Sequence, residues 1–353
     1  MSFIFKPGLF PSPENYRDFI TTAIIPTDME VEESFSWKDK IPIIRDQGNY
    51  GVCVGFSGTA IKNIHEKIEG TYVDGGFSPL FLYTMSKQFD GIPDVEGTYL
   101  STAMYVLRKY GICPETYLPY KLLRDIRKLP VISDVLKQEA EKYRISTYAK
   151  IPSGNLIALK QAIKISPVMM GVLVTSSFIN NENGFLNTPE GAIMGGHAIT
   201  IVGWDDNLKH KFRNGKIKKG FIIFQNSWGE EFGNQGLGYI AYEDLDWKDD
   251  LGKIFVYDSW SCVDSIIPKP KPIEPEPIIQ KYWKVQLFAF SQKSNCENAV
   301  KKLKEQGFNT WIPPKDIDNL YRIQLGAFQN KENALKLADR LKVLGYKPWV
   351  RYI

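Results

Sequence analysis

Asp46-Gln-Gly-Asn-Tyr-Gly-Val-Cys-Val-Gly-Phe-Ser57 is a polar, glycine-rich turn that ends in Cys53. The apolar run Val54 to Ile64 that follows reads as a helix. A cysteine at a helix N-terminus faces unpaired backbone N–H groups and the positive end of the helix dipole, which together favour the thiolate. Such a thiolate also needs a base, and the chain offers three histidines. His65 lies toward the far end of the same helix, from where it cannot fold back onto Cys53. His210 sits in Asn207-Leu-Lys-His-Lys-Phe212, a charged turn that reads as solvated. His197, in Met194-Gly-Gly-His-Ala-Ile-Thr-Ile-Val-Gly-Trp204, opens an apolar strand after two glycines and is the candidate base.

A third element is Gln225-Asn-Ser-Trp-Gly229. Asn226 follows the strand Phe221–Phe224, so its amide can accept the imidazole N–H, and Trp228 can shield that bond from water.

These three segments, in this order, resemble the papain family of cysteine peptidases. That family surrounds its nucleophile with Gln-Gly-x-Cys-Gly-Ser-Cys-Trp, its base with His-Ala-x-x-x-Val-Gly and its third member with Asn-Ser-Trp-Gly. The matches here are Gln47, Gly48, Gly51 and Cys53; His197, Ala198, Val202 and Gly203; and Asn226, Ser227, Trp228 and Gly229. The resemblance spans Ser34 to Ser265 and implies peptide hydrolysis through a thioester, with Cys53, His197 and Asn226 catalytic. It implies an oxyanion hole formed by the Cys53 N–H and the Gln47 side chain. Three departures stand out: Tyr50 replaces the upstream cysteine and its disulfide, Val54 replaces the tryptophan, and Glu96-Gly97-Thr98-Tyr99 replaces a glycine-rich subsite loop. Substrate preference is therefore not carried over. Residues 1–33 read as an N-terminal arm, a short pro-like segment expected to pack across or beside the cleft.

Helices are expected early in the peptidase segment (Pro79–Lys87, Ser101–Tyr110, Asp134–Tyr143). Strands are expected late (Val168–Val174, His197–Trp204, Phe221–Phe224, Gly238–Tyr242), giving an α+β domain of two lobes, one helical and one β-rich. Ile266 to Gln280, with prolines at 268, 270, 272, 275 and 277, reads as a polyproline spacer between 34–265 and 281–353.

Beyond the spacer, Lys284-Val-Gln-Leu-Phe-Ala-Phe290 matches Arg322-Ile-Gln-Leu-Gly-Ala-Phe328 at a shift of 322 − 284 = 38, and the same shift aligns Trp311 with Trp349. Each copy reads as strand–helix–strand, so two copies make one small sheet with helices on one face. The repeat resembles the SPOR domain of bacteria, a ferredoxin-like module that binds peptidoglycan glycan strands. By that resemblance Gln286, Phe288 and Gln324 are candidate glycan contacts, with Gly326 on the same face, while Trp311 and Trp349 are assigned to the core. Residues 281–353 hold 14 Lys+Arg against 6 Asp+Glu, against a whole-chain net of +4. A polyanionic ligand and a solvated surface both fit that excess.

The four cysteines are scattered, without paired spacing or clustered histidines, so neither a disulfide framework nor a metal site is expected, and no cofactor. No run of apolar residues is long enough for a membrane span, and neither a signal peptide nor a nucleic-acid partner is expected. The combination implies a bacterial or phage cysteine peptidase acting at the cell wall. Its alternatives are an inactive wall-binding adaptor and a hydrolase of peptidoglycan stem peptides.

Overall fold

The computed structural model describes residues 6–14, 29–264, 282–313 and 320–352. The chain forms two compact units, Met1–Pro270 and Lys271–Ile353. The proline-rich spacer lies outside the described residues.

In the first unit, α1 (Cys53–Glu69) is buried on almost its whole circumference from Cys53 to Glu66 and ends at Gly70, whose left-handed φ of 76° suits glycine. No side chain caps its N-terminus, so the N–H groups around Cys53 are not consumed by a cap. Packed against α1 are α2 (Pro79–Lys87) and α3 (Leu100–Lys109), joined by Phe77, Leu107 and Ile112 in one core. Proline at the first position of α2 and the Ser78 hydroxyl accepting from Phe81 N–H explain where that helix starts. α4 (Asp134–Glu141) begins in the same way at Ser133.

The β-rich half is a nine-stranded sheet. β5 (Val168–Val174) lies between β6 (Gly195–Lys211) and β9 (Val256–Val263), and β4 (Thr147–Lys150) pairs with β9. β6 also pairs with β7 (Ile217–Gln225), which pairs with β8 (Leu237–Ala241). The α5 helix (Leu156–Ile165) closes a second core with Ile199, Ile201 and Phe224. β2 (Ser34–Ser36) adds an edge to β6. The expected strands are present, but β6 is far longer than His197–Trp204. His210 therefore lies on that strand rather than in a solvated turn, its ring stacked 4.0 Å from Phe185.

The arm supplies a strand of its own. β1 (Leu9–Phe10) is inserted between β3 (Thr98–Tyr99), to which it runs parallel, and the start of β6, to which it runs antiparallel. It lies at the boundary of the two halves, where α1 meets β6.

In the second unit the central strand β10 (Trp283–Phe290) pairs antiparallel with β11 (Tyr321–Phe328) and with β12 (Trp349–Tyr352). The helices α7 (Lys293–Glu305) and α8 (Lys331–Val343) give Cys296, Leu303, Ala334, Ala338 and Leu341 to a core with Val285, Leu287 and Ile323. The closing aromatic segment of the first copy is reduced to a Trp311–Gln324 bridge. Among the described residues the second copy is thus strand–helix–strand, whereas the first is strand–helix followed by a single bridge, and the sheet has three strands.

Candidate active site

Cys53 begins α1 and His197 begins β6, and the two elements are bolted together one turn further on. Ser57 Oγ donates to the Ile199 carbonyl at 3.0 Å, and Thr200 Oγ1 donates to the Ser57 carbonyl at 3.2 Å. The N–H of Ala198, next to His197, donates to the Cys53 sulfur. His197 Nε2 stands 2.8 Å from Asn226 Oδ1, which also accepts the Ser227 N–H at 2.8 Å and so has its orientation fixed. With the ring proton on Nε2, Nδ1 is the ring nitrogen that can accept a proton. Trp228 lies over the imidazole at 4.9 Å between centroids, and Phe178 meets it edge-on at 5.9 Å. Two aromatic rings thus pack against the imidazole beside its bond to Asn226.

Gln47 is 1% exposed. Its Oε1 accepts the Ser227 hydroxyl at 2.6 Å, which aims Nε2 at the loop before Cys53, where one of its two hydrogens goes to the Tyr50 carbonyl at 2.8 Å. The second hydrogen remains for an oxyanion. Tyr50, standing where the resembling family has a cysteine, donates its hydroxyl to the Arg124 carbonyl at 2.8 Å. All four cysteines are free and buried.

The expectation of a lowered Cys53 pKa is overturned. Burial pushes the thiol up to about 11, against the N–H donors of Ala198, Val54 and Gly8. Burial likewise pulls His197 down to about 4, against the bond to Asn226. The arm is part of the cover over this site. Gly8 lies over the nucleophile loop with its N–H on the Cys53 sulfur and on the Gly196 carbonyl at 3.3 Å, and Thr98 N–H donates to the Gly8 carbonyl at 3.0 Å. Leu9, 4% exposed, fills an apolar pocket against Gly171 and Tyr257. A dry site disfavours the thiolate–imidazolium pair.

The other histidines belong elsewhere. His65 Nε2 meets Ser166 Oγ at 2.7 Å and its Nδ1 meets Asp264 at 3.0 Å. Asp264 also pairs with buried Lys62, which pairs with Glu66 at 2.9 Å. This cluster ties the far end of α1 to the end of β9, and its Ser166 is 1% exposed, out of reach of substrate.

In the second unit Gln286 and Gln324 are directly opposite on β10 and β11, and both are buried. Phe288 is separated from them. It occupies a β-bulge with φ of 57°, and its ring contacts are Phe290 and Tyr346 at the rim of the helix-side core. Trp311 and Trp349, which the sequence assigns to the core, are 44% and 45% exposed. Trp311 is registered with Gln324 and Trp349 with Gln286, so one row crosses the sheet as Trp311–Gln324–Gln286–Trp349. The signal was available in the sequence: both pairs are related by the 38-residue repeat (349 − 311 = 38; 324 − 286 = 38).

Comparison with known proteins agrees with this geometry. The family model described as "Papain family cysteine protease" matches residues 31–247, and that described as "SPOR domain", a peptidoglycan-binding module, matches residues 280–352. An uncharacterized peptidase C1-like protein of Acanthamoeba polyphaga mimivirus is 27% identical over 222 residues, covering 57% of this chain and 66% of that protein. A cysteine protease of Ambrosia artemisiifolia is 25% identical over 268 residues, covering 75% and 62% respectively. The chain thus spans a little under two thirds of the length of these relatives. Among solved structures, xylellain, a cysteine protease from Xylella fastidiosa, shares the fold with a TM-score of 0.59 at 23% identity, over 73% of this chain and 96% of that one.

Proposed function

This chain belongs to the papain family of cysteine proteases, and from that premise we propose that it is an endopeptidase working through Cys53, His197 and Asn226, held latent by its own arm and addressed to peptidoglycan by its SPOR domain. The observation that carries this is the alignment of three segments distant in sequence: Asn226 Oδ1 holds His197 Nε2 at 2.8 Å while the adjacent Ala198 N–H holds the Cys53 sulfur. An adaptor that had lost its chemistry would have no use for that alignment, nor for the oriented Gln47 amide beside it.

With a peptide in place of the arm, the Cys53 proton passes to His197 Nδ1 and sulfur attacks the scissile carbonyl carbon. The oxyanion takes hydrogen bonds from the Cys53 N–H and Gln47 Nε2, each worth about 3–4 kcal/mol in the transition state. Collapse breaks the C–N bond as His197 returns the proton to the leaving amine, leaving a thioester. His197 then deprotonates a water, which releases the acid and restores the thiol. Asn226 keeps the ring in register through both steps.

The arm blocks this sequence twice, by taking the backbone hydrogen bonds of Thr98 and Gly196 that an extended substrate would use, and by drying the thiol. For the second unit, the Trp311–Gln324–Gln286–Trp349 row supports a glycan site, with the exposed indole faces of Trp311 and Trp349 for sugar rings and the buried Gln286 and Gln324 fixing the register between them. A tethered module of this kind raises the enzyme's local concentration on the wall. The deciding experiment treats full-length protein, with the arm seated or unseated, with a thiol-directed epoxide, and assays it on denatured protein and purified wall. Modification at Cys53 together with hydrolysis that is lost in Cys53→Ala is expected; absence of both would leave only the adaptor.

A further inference from the structure

We propose that Glu96 is a specificity-determining residue that selects substrates carrying a cationic side chain on the residue lying beside Cys53. This rests on the peptidase reading and adds a substrate class to it. Glu96 occupies the segment where the sequence departs from the family pattern, and the arm displays its use. Its Oε1 accepts the N–H of Gly51, two residues before the nucleophile, at 2.6 Å, and its Oε2 pairs with the ammonium of Lys6 on the arm. The arm backbone passes directly over Gly51, where a Cβ on Gly51 would meet the Pro7 carbonyl oxygen at 2.7 Å. The arm thus brings a cation to the wall of the cleft formed by Glu96 and Gly51, beside the nucleophile loop.

The carboxylate is held in place rather than merely nearby. The loop that carries it is pinned by Lys87, whose buried ammonium donates to the carbonyls of Ile92, Val95 and Gly97 at 2.7, 2.8 and 3.0 Å and pairs with Asp90 at 2.7 Å. Gly97 N–H in turn donates to the Tyr83 hydroxyl at 2.9 Å. These bonds join the subsite loop to the helix α2, and Glu96 joins it to the nucleophile loop, across the position where the disulfide of the resembling family is missing. The Glu96 side chain is 17% exposed. When the arm leaves, Lys6 leaves with it, and one carboxylate oxygen faces the cleft in a partly desolvated setting while the other stays fixed by Gly51. A lysine, an arginine or another side-chain amine on the substrate replaces the lost partner without reordering the carboxylate. A neutral side chain leaves it unpaired and an anionic one is repelled.

The test uses the full-length chain with the arm unseated by Gly8→Val, and fluorogenic peptides that differ only in the residue supplying the scissile carbonyl: Arg, Lys, Gln or Glu. The Arg and Lys peptides are expected to exceed the Gln peptide in kcat/KM by roughly five- to thirtyfold, with Glu poorest. In Glu96→Gln, whose amide oxygen can still accept from Gly51, the Arg-to-Gln ratio should fall to near one, and in Glu96→Lys the order should reverse. The same peptides are also titrated by calorimetry against the Cys53→Ala form of each variant, which cannot cleave them. An Arg-over-Gln preference in binding without any cleavage by the Cys53 form would condemn the peptidase reading and leave the Glu96 assignment standing. Equal treatment of Arg and Gln with Glu96 present, or a preference that survives Glu96→Gln, overturns the proposal.

Discussion

A Cβ placed on Gly8 would stand 2.1 Å from the carbonyl oxygen of Gly51, so the arm crosses the nucleophile loop at a separation that only glycine permits. The contacts of Gly8 and Leu9 over the cleft depend on this crossing. Leu9 can reach its pocket, and Gly8 N–H the thiol, only because the backbone comes this close. Gly8→Val introduces overpacking of about 1–3 kcal/mol, which should raise the population with an open cleft about 5- to 150-fold. Alkylation of Cys53 by iodoacetamide at neutral pH, read by intact mass, should accelerate accordingly. An unchanged rate would mean that the arm does not plug the site.

The pH dependence of the same reaction separates plugging from drying. With the arm seated, the Cys53 thiol is pushed up to about 11 and His197 down to about 4 by burial. Between these values both groups are neutral, so alkylation should be slow and climb only as pH approaches the upper one. In Gly8→Val, water re-enters and the imidazolium can pair with the thiolate, so the rise should move well below pH 9. A variant that reacts faster at every pH but keeps its profile would show that the arm only blocks access.

Much of the proposed site is legible in the sequence because each residue of the proposed triad stands at or near the boundary of an element. Cys53, His197 and Asn226 sit where a turn meets α1, where glycines meet β6, and where β7 ends. What is not legible depends on tertiary contact. The pairing of Leu9 with Thr98 and Gly196 joins segments far apart in the chain, and nothing local in Pro7-Gly-Leu-Phe10 marks a strand. The raised thiol pKa follows from burial in the folded chain and could not be read from the helix N-terminus alone. Similarly, two tryptophans at strand ends carry no mark that separates core from surface until the register puts each beside a glutamine.

Gln47→Ala tests the oxyanion assignment. Its amide is oriented by the Ser227 hydroxyl, so its loss should remove a transition-state donor and leave the base intact. In the Gly8→Val background kcat should fall roughly 10²- to 10³-fold with KM little changed. Epoxide labelling of Cys53 should continue. A loss of labelling together with kcat would instead assign Gln47 a role in building the loop.

The Asp264 cluster sets acid stability. Burial lowers the pKa of His65 and His197, so the unfolded chain takes up these protons as pH falls below about 6.5, before the folded chain does, and folding weakens. Asp264 is held well below the ordinary carboxylate range by His65 and Lys62, against its burial. Its contribution is therefore present above the ordinary range and is lost as pH falls toward its native value. Urea midpoints for the first unit should drop steadily from pH 7 to pH 4. Asp264→Asn should cost about 3 kcal/mol at pH 7, because Lys62 loses one of its two carboxylates. A flat midpoint across that range would mean that the cluster opens to water.

The row across the small sheet gives the last expectation. Trp311 and Trp349 are repeat-related, equally exposed and registered on opposite ends of Gln324–Gln286. A linear glycan lying along the row runs across the strands, and three strand spacings of about 4.8 Å put the indoles roughly 14 Å apart. Each ring stacked on a sugar should contribute about 1 kcal/mol. In the full-length chain, Trp311→Ala and Trp349→Ala should each weaken retention on purified peptidoglycan by roughly fivefold, and the double variant by more. Phe288→Ala, turned toward the helix-side rim, should bind as the unaltered chain does. Equal losses from Phe288→Ala and from the tryptophans would place the glycan on the rim instead of the row.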